Sequence, residues 1–537
     1  MPLSYSRKRS AALPHVVKGP DLPAREAAEA GIDRKRLIAL QDRLDGRIVL
    51  PSFPDYHADS QLSNPLFQSD PQLIVFCRSE SDVAQTVIAA REMELGIRMR
   101  SGGHSTAGYS VGPGIVIDTS SMQHCRVEDP GAPGAAVARV GPGCAFGMLN
   151  DTLDLYNLHV PGGGCPDVCP AGYMQGGGYG FTSRIFGMNC DNVAAVRMVT
   201  AEGTVVQADA LSNHELFWAV RGGTGNNFGI LTEISYSLHR IDAKNTGLPL
   251  MFGFAIRWPL DTAAGRARAA EALTLMQAEY MAGQGNPRVG YMAVGCNQAD
   301  HPDLSDSKPY LLLRGIAVPP LDKPDADILR PFLATGGELQ YALWDTYNRL
   351  NYRLLAEPAD IPQFPAGTPM PFEDKHARYV EKILETSDWM GLLELIADGA
   401  PGGDQYCLVI EPYGGRIGAI GEKANAFMHR APGMDIVMDG FWWNDDQRPA
   451  VEDFLAKFVA LIEPFWNTHI YQNYPHRDLP DYRWNYWGNS FPSLLTVKQA
   501  WDREGVFMFP QAITPYPEDR SGLTIAAEPS IFDKGRS

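Results

Sequence analysis

The stretch 159-HVPGGGCPDVCPAGYMQGGGYG-180 packs eight glycines, three prolines and two cysteines into one short run. Glycine has no side chain to bury and loses the most freedom on folding, so a segment this rich in it cannot be held by its own packing. Cys165 and Cys169 stand four residues apart within it. Zinc would have to draw on them together with His104, and a C-x3-C spacing with prolines at 166 and 170 suits zinc poorly. A disulfide between them would close a short, strained loop. Some other attachment is needed.

The 537-residue chain is long enough for two sizeable lobes, and its 45% apolar content is that of an ordinary globular protein. Its formal charge of −17 is spread over interspersed acids and bases, which argues against a nucleic-acid partner. The opening MPLSYSRKRSAALPHVV has too few apolar residues for a secretory signal, and no stretch is apolar for long enough to cross a bilayer. The expectation is a cytoplasmic protein without a membrane partner, its oligomeric state left open. Eight cysteines in so long a chain are too sparse for a disulfide framework.

Residues 73 to 118 read as strand, helix, strand, turn and strand, with Ser79 capping the helix and Gly96 near its end. Between IRMR and GIVID lies a glycine-rich loop, RSGGHSTAGYSVGPG, residues 100 to 114. From Asn192, NVAAVRMVTAEGTVVQA predicts a hairpin turning near Glu202 and Gly203, then a helix over NHELFWAV. RGGTGNNFGILTEISYSLHRI, from Arg221, is a further glycine-rich loop feeding a strand. Beyond about residue 243 the pattern changes: strand-like FGFAIRW, a helix over AAGRARAAEALTLMQAEYM, a proline-rich stretch from 317 to 371, then LVIEPYGGRIGAI and MDIVMDGFWW as paired strands of a second sheet. The aromatic, turn-rich tail has no simple repeat.

One glycine loop can be mere turn punctuation, but three in one lobe point to a ligand. Successive backbone N–H groups form concave nests for phosphate oxygens, and a missing Cβ lets backbone approach a flat ring. A dinucleotide meets both conditions. The ordinary fingerprint, strand then G-x-G-x-x-G then helix, is not met, and no G-x-x-x-x-G-K-[ST] loop exists in the chain.

R-S-G-G-H at 100 to 104, Cys165-Pro166-Asp167-Val168, G-G-G-Y-G at 176 to 180, Asp191-Asn192-Val193 and L-F-W-A-V-R-G-G at 216 to 223 resemble the flavin-dependent oxidases of the vanillyl-alcohol oxidase superfamily, PCMH-type. The tail, Tyr471-Gln472-Asn473-Tyr474 through Tyr486-Trp487-Gly488 to Val497-Lys498 and Gln511, is similar to the berberine-bridge-enzyme-like and oligosaccharide-oxidase branch. The likeness runs from about residue 68 to 515. It implies an α+β, two-lobe fold: an N-terminal extension and the start of the FAD lobe over 1–67, an FAD-binding domain over 68–242, an antiparallel-sheet substrate lobe over 243–465, and a C-terminal segment, 466–537, returning to the flavin.

The resemblance implies FAD attached twice, through His104 to the 8α-methyl and through Cys165 to C6, with Cys169 the second candidate for the thiol. It implies Gly102 and Gly103 against the pyrophosphate, and Gly172, Gly176, Gly177 and Gly178 flat against the isoalloxazine. Arg100, Ser101, Ser105, Tyr109 and Asn473 join the cofactor site, and Val168 occupies the position that sets oxygen access, favouring O2 as acceptor and H2O2 as product. Three positions depart from the family pattern: Cys169 replaces the usual glycine, Tyr173 the usual histidine, and Thr106 stands where many relatives carry tyrosine. The implied reaction is two-electron oxidation of an alcohol, or a carbon next to nitrogen, in a sugar or secondary metabolite. Tyr474 is the implied base, with Tyr179 as its neighbour and Asp439 or Asp435 as the assisting acid. No metal is implied. Trp442, Trp443, Trp484, Tyr486 and Trp487 are candidates for a substrate cleft or for core packing, whereas Met174 and Met188 read as packing. A dehydrogenase with another acceptor and a non-catalytic flavin carrier are the alternatives.

Overall fold

The computed structural model describes residues 6–8, 30–131, 134–241, 250–281, 283, 285–297, 308–321, 325–355, 363–365, 371–399, 405–431 and 433–532. The division expected at 242/243, residues 1–5 and 9–29 of the N-terminal extension and parts of the 317–371 stretch lie outside these residues. Among the described residues no helix is long and apolar enough to cross a membrane.

Among the described residues the N-terminal half holds two larger sheets and a two-stranded one that pairs Leu158–His159 with His239–Arg240. In the first, Arg47–Val49, Leu73–Phe76, Ile115–Asp118 and Ile97–Arg100 lie side by side, and the last three run parallel. Parallel neighbours need a crossover, which the helix Glu80–Glu92 supplies. Ser79 caps it as expected, its hydroxyl accepting from the Asp82 amide at 3.1 Å. The second sheet is antiparallel, in the order Val205–Asp209, Val193–Val199, Ile230–Ser237, Val137–Val140 and Cys125–Glu128. The 193–209 hairpin anticipated from the sequence forms its edge.

The C-terminal half is built on seven antiparallel strands in the order Glu338–Thr346, Leu250–Pro259, Tyr310–Ala317, Val289–Cys296, Gln405–Pro412, Met434–Trp442 and Phe372–Val380. One face is covered by the helices Ala263–Met281, Thr386–Asp398 and Arg448–Ile462, which share a core with Leu408, Ile410, Ile436 and Met438. The other face joins the core of the N-terminal half through Cys407, Val409 and Val437. Strand side chains alternate between faces, so covering both buries all nine residues of Met434–Trp442. Its acids, Asp435 and Asp439, are therefore interior groups.

Candidate active site

A pocket lies where the glycine loops of the first half meet the side of the seven-stranded sheet opposite the three helices. Its loop wall includes Ser101 to Ser105, Gly163 to Cys165, Val168, Cys169, Gly172 and Thr224 to Asn226. Side chains that hold main-chain carbonyls steady the glycine-rich segment. Asn189 donates to the Pro161 carbonyl at 2.6 Å, Tyr347 to Gly162 at 2.9 Å and Asn351 to Gly163 at 3.2 Å. Further along, the first-turn amides of the helix Phe146–Asp154 are taken up by this loop, Gly147 donating to Pro166 at 2.8 Å and Phe146 to Val168 at 3.0 Å.

The two proposed anchoring loops touch. A Cβ on Gly102 would stand 3.1 Å from the Cys169 amide nitrogen and 3.3 Å from the Asp167 carbonyl oxygen, so glycine is what lets them meet. Across this contact His104 Nε2 lies 3.0 Å from Asp167 Oδ2. That bond fixes the ring's orientation. Cys165 and Cys169 both line the pocket and are almost fully buried. Arg100 also lines it, held by an ion pair to Asp118 in which both side chains are buried. Tyr109 lies nearby, its hydroxyl bonded to Gln511.

The opposite wall consists of side chains on adjacent strands. Lys375, Glu411 and Asp439 face the pocket from Phe372–Val380, Gln405–Pro412 and Met434–Trp442. Lys375 and Asp439 are directly opposite in register, with Nζ 3.2 Å from Oδ1, and Glu373 lies 3.2 Å from the same ammonium. Burial opposes the lysine's charge, but these two carboxylates outweigh it and hold its pKa above the ordinary range. Burial pushes Asp439 up to about 6, against the pull of Lys375.

Tyr474 reaches this wall from the C-terminal segment. Its hydroxyl donates to Glu411 Oε1 at 2.8 Å, and Lys375 Nζ lies 4.8 Å from the centre of its ring. Burial raises Glu411 to about 7, opposed by the tyrosine hydrogen bond and the lysine charge. Burial and the Glu411 charge together drive the phenol well above its ordinary range. A phenol that donates to a carboxylate keeps its lone pairs for another donor in the pocket.

The structure corrects several expectations. Glu411, not Tyr179, partners Tyr474; Tyr179 lines the pocket but spends its hydroxyl on the Pro412 carbonyl at 2.9 Å. Glu411 is not among the candidates drawn from the sequence, although a lone acid inside the apolar run LVIEP is a usable signal. Asp435 is buried opposite Glu411 in register and does not line the pocket. Gly176, Gly177 and Gly178 do not line it either. Their missing side chains admit Asn473, Phe427 and Tyr173, and the Gly178 and Tyr179 amides donate to the Tyr471 hydroxyl at 2.9 and 3.1 Å. Of the five cleft aromatics, Tyr486 and Trp487 line the pocket, Trp442 packs under the helices, Trp443 is largely exposed, and Trp484 donates to Thr468. Met174 and Met188 are buried in the core.

The pocket suits a flavin dinucleotide on its own features. Gly172 faces it, and a Cβ there would meet nothing within 4 Å, so backbone is open to a flat ring. Thr106 Oγ1, Ser110 Oγ, Glu411 Oε2 and Gln472 Oε1 are buried in lining residues without a hydrogen-bond partner, an arrangement that calls for a polar guest.

Fold and site thus define a two-lobe, α+β FAD-linked oxidoreductase. Residues 71–209 match the FAD binding domain family and residues 470–514 the family described as berberine and berberine like. The uncharacterized FAD-linked oxidoreductase YvdP of Bacillus subtilis (strain 168) is 26% identical over 485 residues, covering 88% of this chain and 99% of that one. The (R)-6-hydroxynicotine oxidase of Paenarthrobacter nicotinovorans is 33% identical over 202 residues, 37% of this chain and 43% of that one. Among solved structures, berberine bridge enzyme from Eschscholzia californica superposes with a TM-score of 0.75 at 21% identity, over 90% of this chain and 99% of that one. By these matches the chain is similar to the berberine-bridge-enzyme-like FAD-linked oxidoreductases.

Proposed function

We propose that the protein is an oxidase that holds FAD covalently through His104 and Cys165 and oxidises an alcohol, or a carbon next to nitrogen, in a sugar or secondary metabolite. When bound, FAD supplies the acceptor for the hydride that leaves the substrate carbon; O2 then takes both electrons and two protons to give H2O2. The remaining proton, on the substrate hydroxyl or amine, falls to this chain's own groups. Tyr474 accepts it while passing its phenolic proton to Glu411, so a carboxylate with a pKa of about 7 sets the basicity of the pair. Lys375 and Asp439 keep that side of the pocket charged. Asp167 holds His104 with one nitrogen facing away from it.

The observation that most supports this reading is the 2.8 Å bond between Tyr474 and Glu411, set across the pocket from the touching His104 and cysteine loops. Val168 at the pocket wall and the relative named as a hydroxynicotine oxidase support O2 as the acceptor. Anaerobic reduction with a panel of sugars, aromatic alcohols and cyclic amines, followed by admission of air, tests it. Rapid recovery of the oxidised spectrum with stoichiometric H2O2 is expected. Reduction followed by slow recovery in air would make the protein a dehydrogenase.

A further inference from the structure

Outside the pocket, a second cluster of ligating side chains gathers where the C-terminal segment crosses the edge strand Phe372–Val380. Lys375 faces the pocket, so Asp374 and His376 stand on the opposite face of this strand. The segment that brings Tyr474 over Lys375 continues past the edge and sets His476 against His376, their ring centres 4.2 Å apart. One donor atom from each of Asp374, His376 and His476 lies within 4.8 Å of the other two.

We propose that Asp374, His376 and His476 bind one divalent transition-metal ion, zinc foremost, that fastens the segment bearing Tyr474 to the edge of the substrate sheet. Two imidazoles and a carboxylate are a donor set for this class of ion, leaving a further position for water. A zinc ion about 2.0–2.1 Å from its donors holds them roughly 3.3 Å apart. His376 Nε2 and Asp374 Oδ2 are already 3.4 Å apart, too long for a good hydrogen bond but close to that edge. Small rotations of the third ligand complete the set. His376 Nδ1 and His476 Nδ1 are each buried without a hydrogen-bond partner, so the protein leaves both rings incompletely satisfied. The same three side chains are partly exposed, which gives the ion a path in. Arg378, two residues further along that face, lies 4.7 Å over the Trp466 ring and does not fill the site.

The test uses the purified full chain, stripped with dipicolinate and titrated with Zn2+ by isothermal calorimetry, alongside thermal unfolding. One zinc per chain, with an upward shift of the unfolding midpoint, is expected. His376→Gln and His476→Gln should each weaken binding by about tenfold or more while keeping the wild-type circular dichroism. Asp374→Asn, at a partly exposed position, supplies an independent variant should either histidine change disturb folding. Absence of stoichiometric zinc binding in the wild type overturns the proposal, and so does binding that is unchanged in all three variants.

Discussion

One wall of the pocket is main chain and short loops, residues 101–105 and 163–172; the other is three charged side chains, Lys375, Glu411 and Asp439, standing on adjacent strands. The loop wall depends on missing side chains and fixed carbonyls. The sheet wall depends on buried charges that must be balanced against one another. The first is built to admit a large ring closely, and the second to hold a proton at a chosen energy. Substitutions should separate the two walls cleanly.

The largest effect is expected at the tip of the sheet wall. Tyr474→Phe should slow substrate reduction of the flavin by about 10²–10⁴-fold, the usual worth of a positioned acid–base group, while leaving cofactor content unchanged. Loss of bound FAD in this variant would mean that the walls are not separable. Next comes the ion pair beneath it. Lys375→Met leaves Glu373 and Asp439 buried without their cation, and should lower unfolding stability by about 3–5 kcal/mol in denaturant titrations near neutral pH.

Glu411→Gln has opposite consequences for rate and stability. The wild-type rate should rise with pH through about 7 as Glu411 ionises, and the variant should be slow with that limb absent. Stability runs the other way. The folded pKa of about 7 lies above the ordinary 4.5, so below 4.5 the protonated group costs nothing; ionisation then erodes stability progressively until pH passes 7. Removing the charge should therefore stabilise the protein by up to about 3 kcal/mol at pH 8 and by nothing near pH 4. Thermal midpoints at the two pH values decide the sign. The smallest effect belongs to Asp435, whose burial, with the Glu411 charge beside it, raises its pKa well above the ordinary carboxylate range. If it stands protonated, Asp435→Asn should change neither rate nor stability by more than about 0.5 kcal/mol.

The same contrast explains what could be read in advance. His104, Cys165 and Gly102 belong to loops whose composition is unusual over a few residues, so a local pattern exposes them. Glu411 becomes a partner of Tyr474 through a contact spanning 63 positions in sequence, and Lys375 meets Asp439 through strand register. No local pattern records such pairings. Of the two readings open for Trp442, core packing holds, because alternation sends Phe441 to the pocket and its neighbour beneath the helices. Gly176 to Gly178 were misplaced. A glycine run announces a close approach without saying whether a ring or, as here, Asn473, Phe427 and Tyr173 make it.

The loop wall's role as a double anchor is tested most directly by the intact mass and visible spectrum of the protein after acid denaturation. A chain heavier by one FAD, still yellow, and losing the second linkage but not the first in Cys165→Ala, is the expected result. A colourless polypeptide of unmodified mass, released from a native protein that binds FAD, would contradict it.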